Sequence, residues 1–115
     1  MKIIKKNNKI SRQELIKMAE KMFENIVKAV VDVKKEVMAV DAAMHSDQEA
    51  ELIKNGSKQE NLWGINLHPT KQRKNFVEFD SIINLKPNQN NRSRGIDNPK
   101  IKKKIIQIVN KLVEK

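Results

Sequence analysis

Three side chains of the kind used in catalysis and metal binding alternate in one short segment: His45, Asp47 and Glu49. In an extended strand they would project to the same side, as the ligands of a metal ion do. In a helix, residues two apart point in different directions, and a metal site needs three or four ligands that converge. The spacing also matches none of the standard metal-binding motifs. We therefore predict no metal site and no cofactor.

A metal-free hydrolase or nuclease is a second hypothesis for the same residues. It needs a general base, for which His45 is the candidate, and cations that stabilise the charge developing on a phosphate. Arg92 and Arg94 are suitable, because a planar guanidinium binds two phosphate oxygens at once. The hypothesis requires His45, Asp47 and Glu49 to meet these arginines in space.

The segment PNQNNRSRG, residues 87–95, combines four side-chain amides with two arginines and has no large apolar side chain. Amides and arginines bind phosphates, sugar edges and exposed bases. The segment also leads towards a predicted helix N-terminus, which attracts anions. Against this, asparagine and glycine are common in ordinary turns, and the chain has few aromatic residues on which bases could stack. A binding loop and a plain connector are therefore both open alternatives.

Positive charge is concentrated in the second half of the chain, within a formal net charge of +10. Residues 1–60 contain 12 basic and 10 acidic groups, whereas residues 61–115 contain 12 basic and 4 acidic groups. Such asymmetry is typical of proteins that bind RNA or another polyanion, although a codon preference for lysine explains the same excess. Binding rather than catalysis is our leading hypothesis. Its candidate residues are Asn90, Asn91, Arg92, Arg94, Lys100, Lys103 and Lys104.

The distribution of apolar residues predicts neither a membrane-spanning segment nor a secretion signal. No hydrophobic run approaches the roughly 20 residues that span a bilayer. The basic N-terminus is not followed by an apolar stretch and a small-residue cleavage site, as a secretion signal would be. We expect a cytoplasmic protein without a membrane partner.

The first predicted helix covers residues 11–27. Ser11 and Glu14 form a capping box, in which each side chain bonds a free backbone N–H of the first turn. Apolar residues then recur at helical spacing and form one stripe that includes Phe23 and Ile26.

Two further helices are predicted from their capping residues. Ser46 and Glu49 form a second capping box, which starts a short helix of about two turns. The last helix follows a cap at Asp97 or Asn98, with Pro99 in its first turn, where a missing N–H has no cost.

Strands are predicted from short apolar and alternating segments. Residues 2–4 form an edge strand, and the valine-rich segments 28–33 and 36–41 form a β-hairpin. Residues 61–68 alternate between apolar and polar or small side chains. Residues 76–86 form a long strand, which pairs with the preceding one as a second hairpin.

These elements predict one α+β domain over residues 1–115. The expected architecture is a two-layer sandwich, with a mainly antiparallel sheet of four or five strands, two long amphipathic helices on one face and one short helix. The other face would be partly open and lined by polar side chains: Asn66, Glu78, Asp80 and Asn84. An open face makes a protein-interaction module or a homodimer a third hypothesis for the function.

Two segments carry a family resemblance: MHSDQEAELIKNGSKQENLWGINLHP and EFDSIINLKPNQNNRSRGI. With their flanking helices they resemble a family of small bacterial proteins classed as a domain of unknown function, and GSKQENLWGIN is the most specific part. The resemblance covers nearly the whole chain. It implies a compact cytoplasmic protein and carries over no activity, substrate or cofactor.

Overall fold

The protein consists of a five-stranded antiparallel sheet with helices on both faces. Its structure is a computed structural model, which describes residues 1–22 and 25–114, without the side chain of Arg73. The α+β prediction is confirmed. The sheet has the strand order β1-β4-β3-β5-β6, with the bounds β1 Lys2–Ile4, β3 Val27–Asp32, β4 Val37–Val40, β5 Leu62–Leu67 and β6 Val77–Glu78. The helices are α1 Arg12–Glu20, α2 His45–Lys54 and α3 Pro99–Leu112.

Helices α1 and α3 cover one face of the sheet, as predicted. Leu15 of α1 and Ile105 of α3 are completely buried, in one cluster with alternate residues of the central strands. Trp63 and Ile65 of β5 belong to this cluster. Each buried aliphatic or aromatic side chain contributes about 1.5 to 3 kcal/mol to folding, so this layer supplies most of the stability.

Helix α2 covers part of the opposite face. Leu52 of α2 packs in a second, smaller cluster with Val30 and Leu62 of the sheet, and Ile83 lies against the same cluster. This face is therefore covered by α2 and by the segment after β6. The picture of a partly open face, on which the homodimer hypothesis depended, is wrong for this part of the sheet.

Helix α1 begins where it was predicted and ends earlier. Both hydrogen bonds of the Ser11–Glu14 capping box are present. The helix stops at Glu20, and Asn25 adopts a left-handed conformation with φ of 53° just before β3. Asparagine tolerates this conformation well, which allows the chain to leave the helix and enter the strand. The predicted contribution of Phe23 to the apolar stripe lies outside the described residues.

Helix α2 begins one residue before the predicted cap. Met44 occupies the N-cap position and makes no side-chain capping bond, so the Ser46–Glu49 capping box is not formed. The His45 ring and the Gln48 amide instead bond backbone carbonyls of the sheet. Tertiary contacts of this kind outweigh a local capping preference, which is worth about 1 kcal/mol.

The largest error concerns the predicted long strand at residues 76–86. Only Val77 and Glu78 pair with β5. The chain then folds into two short 3-10 helices, Ile82–Asn84 and Pro87–Gln89. Apolar and polar side chains alternate in this segment because they point to the inner and the outer side of a compact loop. A β-strand produces the same alternation, so periodicity alone does not distinguish the two.

A separate two-stranded pair joins distant parts of the chain. The strands β2, Ile10–Ser11, and β7, Val113–Glu114, run parallel, with Ile10 opposite Val113. They link the start of α1 to the end of α3. Among the residues that the structure describes, no helix combines the length and apolar character needed to cross a membrane.

Candidate functional site

Asn91 fixes the shape of the amide-rich segment 87–95. It is only 3% exposed. Its amide nitrogen donates to the carbonyls of Asn84 at 2.7 Å and Gly95 at 2.8 Å, and its side-chain oxygen accepts from the Asp97 N–H at 2.7 Å. A side chain with all its groups committed inside the protein holds the loop and leaves nothing for a ligand. Asn91 is therefore structural, and our expectation of a binding role for it is not supported by its position.

Asn84 connects this segment to the sheet. Its side-chain oxygen accepts from the Gly64 N–H at 2.8 Å, and its amide nitrogen donates to the Gly64 carbonyl at 2.9 Å and to the Arg94 carbonyl at 2.9 Å. The side chain thus takes the place of a neighbouring strand beside β5 and satisfies backbone groups that would otherwise be buried without partners. Asn84 is completely buried and does not line an open surface.

Lys86 is a third inward-pointing side chain of the same loop. It is 6% exposed, its ammonium donates to the Gln59 carbonyl at 2.9 Å, and it lies 5.3 Å from the centre of the Trp63 ring. Loss of hydration lowers the pKa of Lys86 from its usual value, partly offset by the negative charge of Glu49. Buried polar groups with fixed partners give this loop one defined shape.

The cations at the surface of this region divide into paired and unpaired groups. Arg94 forms an ion pair with Asp80 at 2.7 Å, and Lys104 forms one with Glu36 at 2.8 Å. In the described part of the chain, four exposed cations of the same region have no carboxylate within ion-pair distance: Arg92, Lys100, Lys102 and Lys103. The Lys102 ammonium lies 5.3 Å from the centre of the Phe79 ring. We call the other three, Arg92, Lys100 and Lys103, the basic edge. Asn90, also exposed, ends a 3-10 turn in a left-handed conformation with φ of 60°.

The basic edge has a fixed backbone. Asp97 accepts from the Arg92 N–H at 3.2 Å and from the Ser93 hydroxyl at 2.8 Å. Asn98 caps α3 by accepting from the Lys100 N–H at 2.9 Å, as predicted. Lys100 and Lys103 lie about one turn apart on the solvent side of α3, since residues three apart are neighbours on a helix. The carboxylate of Asp97 reduces the positive potential close to Arg92.

A second group of polar side chains surrounds His45. The Nε2 atom of this histidine lies 2.7 Å from the Ile65 carbonyl, and the charges of Asp80 and Arg94 are close enough to shift its pKa. We call His45, Asn66, Glu78, Asp80 and Arg94 the His45 cluster. The cluster joins the start of α2, the end of the sheet and the arginine-containing loop.

Register across the sheet explains how part of this cluster forms. Lys28, Asn66 and Glu78 are direct neighbours on three adjacent strands. The Asn66 amide nitrogen donates to a carboxylate oxygen of Glu78 at 3.0 Å and to the Asp80 carbonyl at 3.3 Å. Asn66 is buried, and its side-chain oxygen has no partner in the described part of the protein. A buried acceptor without a partner costs about 1 to 3 kcal/mol.

Asp47 and Glu49 do not belong to this cluster. Asp47 is exposed on the side of α2 opposite His45. Glu49 lies on the same side as His45, one turn further along, and its charge acts on Lys86. Of the predicted group, Asp47 is therefore separated from His45, and the loop charges that act on His45 are those of Asp80 and Arg94. Within the described ranges, no group of three or more His, Asp or Glu side chains is arranged to hold a metal ion.

Burial favours the neutral form of the His45 imidazole. Burial lowers its pKa from the usual 6.5, and the hydrogen bond to the Ile65 carbonyl offsets this only in part. A carbonyl only accepts, so Nε2 carries the proton and Nδ1 is the basic nitrogen. A neutral histidine with one free basic nitrogen is the form that a general base requires.

We predict that His45 titrates below pH 6.5 in the folded protein, as the Nε2–H tautomer. The unfolded chain then takes up a proton first as the pH falls. The stability linked to His45 is therefore complete above pH 6.5 and decreases as the pH falls through the folded pKa. Ring ¹⁵N chemical shifts measured over a pH series test the tautomer and the direction of the shift. A protonated ring at pH 6.5, or a proton on Nδ1, would contradict the prediction.

Sequence reasoning named every member of the His45 cluster, but it placed His45 with Asp47 and Glu49, and it placed Asn66, Glu78 and Asp80 on an open sheet face. The Nε2 atom of His68 lies 3.4 Å from Oε1 of Glu78, so His68 borders the His45 cluster. The useful signal was the pair of strands around Asn66 and Glu78, because correct register would have placed these two side chains together. No pattern in the sequence indicated that residues 79–91 would fold over the sheet.

Comparison with known proteins identifies the family but no activity. A family model described as "Protein of unknown function (DUF5674)" matches residues 2–112. The match covers nearly the whole chain, so the chain belongs to this family. Neither the curated proteins nor the solved structures include a match.

Proposed function

We propose that this member of a family without an assigned activity is a small cytoplasmic module that binds RNA or another polyanion. The observation that carries the proposal is the basic edge, where Arg92, Lys100 and Lys103 are exposed and have no carboxylate within ion-pair distance among the described residues. Cations without an ion pair are available to phosphates and release condensed counterions when they bind. Arg94 lies two residues from Arg92 and connects this surface to the His45 cluster.

Preorganisation of the loop also supports binding. Asn84, Lys86 and Asn91 fix the backbone from the inside, so Arg92 is presented from an ordered segment. The entropy cost of ordering the surface that a ligand contacts is then smaller. The roles within the loop are divided, since the amides hold its shape and the exposed cations contact the ligand.

Binding of fluorescent single- and double-stranded RNA and DNA over a salt series tests the proposal. We expect affinity to fall as salt rises, and the variant Arg92→Ala/Lys100→Ala/Lys103→Ala to bind at least about tenfold more weakly. The slope of log affinity against log salt should become shallower by about 0.7 to 0.9 for each phosphate that the variant no longer neutralises.

A charge-matched control separates a specific surface from general attraction. The variant Lys17→Ala/Lys54→Ala/Lys58→Ala removes the same charge from exposed lysines on α1, α2 and the following loop. It should retain most of the affinity. Equal losses in the two variants, or a wild-type protein that does not bind at low salt, would refute the basic edge as a binding surface.

Cleavage of bound RNA is a second candidate function, favoured by the proximity of His45 to the charges of Arg94 and Asp80. In this reaction the Nδ1 atom of His45 takes the proton of a ribose 2′-hydroxyl, whose oxygen attacks the adjacent phosphorus. The bond from phosphorus to the 5′-oxygen breaks, and water returns a proton to the leaving oxygen. Arg94, whose Nε atom is paired with Asp80 at 2.7 Å, would stabilise the charge on the phosphate through its remaining N–H donors.

Gel analysis of RNA and DNA incubated with the protein tests this second candidate. RNA should be cleaved and DNA should not, because DNA lacks the 2′-hydroxyl. His45→Gln should abolish cleavage, and Asp47→Asn should leave it unchanged, since Asp47 lies outside the cluster. Binding without cleavage would retain the polyanion module and exclude the nuclease.

A further inference from the structure

The cleft between α3 and the edge strand β6 has the composition of a small-molecule site. Its volume is about 700 Å³, within the usual range of roughly 300 to 1,000 Å³ for ligand pockets. From its position and lining we infer that the cleft binds a small organic anion, with a carboxylate or phosphate group attached to an apolar ring. This inference is independent of the basic edge, which contributes no residue to the cleft.

Apolar side chains form one part of the cleft. They come from the end of β6, from the residue before it and from one side of α3 and its continuation: Phe76, Val77, Ile106, Val109 and Val113. Ile106 is 39% exposed, which is unusual for a large aliphatic side chain in a helix whose other isoleucines are largely covered. A ring placed against the partly exposed members of this set, Ile106, Val77 and Val113, would remove apolar surface from water and gain the corresponding free energy.

The polar part of the cleft carries positive charge and no negative charge. Its polar side chains are Arg12, Gln72, Lys74 and Asn110, and no carboxylate lines it among the described residues. Two cations with no acidic neighbour in the part of the chain that the structure describes favour an anionic group on the ligand. The amides of Gln72 and Asn110 add donors that suit carboxylate or phosphate oxygens.

Arg12 is held by two contacts and has no acidic partner among the described residues. One of its terminal nitrogens donates to the Lys71 carbonyl at 2.9 Å, and the guanidinium carbon lies 5.2 Å from the centre of the Phe76 ring. Most of its N–H donors remain unused within the described structure. A guanidinium held in this way binds a carboxylate or phosphate through two parallel hydrogen bonds, with little further ordering cost.

A nucleic-acid backbone fits this cleft poorly. Its phosphates repeat along an extended path and need several cations in a row, whereas the described lining of the cleft has two cations and five apolar side chains. A compact molecule with one anionic group and one ring satisfies both parts at once.

Titration of the ¹⁵N-labelled protein with benzoate, phenyl phosphate and benzamide tests the inference by NMR. Benzoate or phenyl phosphate should shift the amide signals of residues 74–77 and 106–113. Benzamide is a neutral molecule of nearly the same shape and should bind at least about tenfold more weakly, because it cannot form the charged pair with Arg12. The comparison of benzoate with phenyl phosphate shows which anionic group the cleft prefers.

Two variants distinguish a site from a general surface effect. Arg12→Met keeps an unbranched side chain and should weaken benzoate or phenyl phosphate binding by at least about tenfold. Ile106→Glu places a negative charge in the cleft and should abolish binding. Its control, Ile53→Glu, alters an isoleucine of α2 that is 44% exposed and should change nothing.

Each result of these titrations decides the question. Shifts confined to the cleft, absent in both cleft variants and retained in Ile53→Glu, support the inference. Equal binding of benzamide and benzoate would leave an apolar cavity and refute anion recognition. No shift in the cleft with either anion would overturn the inference altogether, whatever the outcome of the nucleic-acid experiments.

Discussion

Replacing Asn84 with alanine is expected to lower the free energy of unfolding by about 3 to 5 kcal/mol. Asn84 is completely buried and satisfies both the N–H and the carbonyl of Gly64. Alanine leaves these two backbone groups without partners beside β5. Each buried polar group left unpaired costs about 1 to 3 kcal/mol, and the removed side chain also leaves a small cavity.

Urea denaturation followed by the fluorescence of Trp63, the chain's single tryptophan, measures this effect. Asn88→Ala is a suitable control, because Asn88 is exposed in the same loop and makes no side-chain hydrogen bond within the described structure. Its effect should stay within about 0.5 kcal/mol. A loss below about 1 kcal/mol for Asn84→Ala would show that water or a shifted loop replaces the amide.

Replacing Gly64 with alanine is expected to destabilise the protein by about 2 to 3 kcal/mol through steric crowding. A Cβ atom at this position would lie 2.5 Å from the Cβ and 2.6 Å from the Oγ of Ser81. Ser81 is 1% exposed, and its N–H donates to the Arg94 carbonyl, so it has little freedom to move. The added methyl group must push the loop away from β5.

The same denaturation measurement tests this second substitution, and two further variants identify the cause. Gly95→Ala should be well tolerated, because its Cβ would make only ordinary contacts, the nearest at 3.5 Å to the Phe79 carbonyl. Ser81→Gly combined with Gly64→Ala removes the opposing Cβ and should recover part of the loss. If the double variant is no more stable than Gly64→Ala alone, crowding against Ser81 is not the cause.

The sequence was sufficient to predict a structural element where residues close together in the chain determine its conformation. The capping box of Ser11 and Glu14 and the cap at Asn98 involve neighbours in sequence, and both appear as predicted. The valine-rich hairpin also formed, because its strands are short and directly connected. Helix α2 shows the limit of such signals, since His45 and Gln48 bond the sheet and move the start of the helix.

The segment from residue 79 to residue 91 required information that its own sequence does not contain. A strand and a folded loop both place apolar and polar side chains on alternate sides. The choice depends on Gly64, whose missing side chain leaves room for Ser81. It also depends on Asn84, whose amide satisfies the edge of β5. These partners lie about 20 residues apart, beyond the reach of a periodicity argument.

Prediction of the candidate site was limited for the same reason. Arg92 and Arg94 attracted attention by residue type, yet only the fold shows that Arg94 is paired with Asp80 while Arg92 has no carboxylate partner in the described region. The neighbours of His45 were sought at Asp47 and Glu49, because these are close in sequence. In the folded chain the nearby charges belong to Asp80 and Arg94, brought there by the loop over the sheet.

The parallel pairing of β2 with β7 has a consequence for the order of events during folding. Ile10 leaves the ribosome long before its partner Val113, because nearly all of the fold lies between them in sequence. Closing so large a loop has a high entropy cost, so the contact forms only after the intervening sheet has brought the two segments together. Until then Ile10, which belongs to the main core cluster and is 1% exposed in the final structure, lacks the part of its cover that the end of the chain provides. The N-terminal side of the core is therefore completed only when the last residues of α3 and β7 dock.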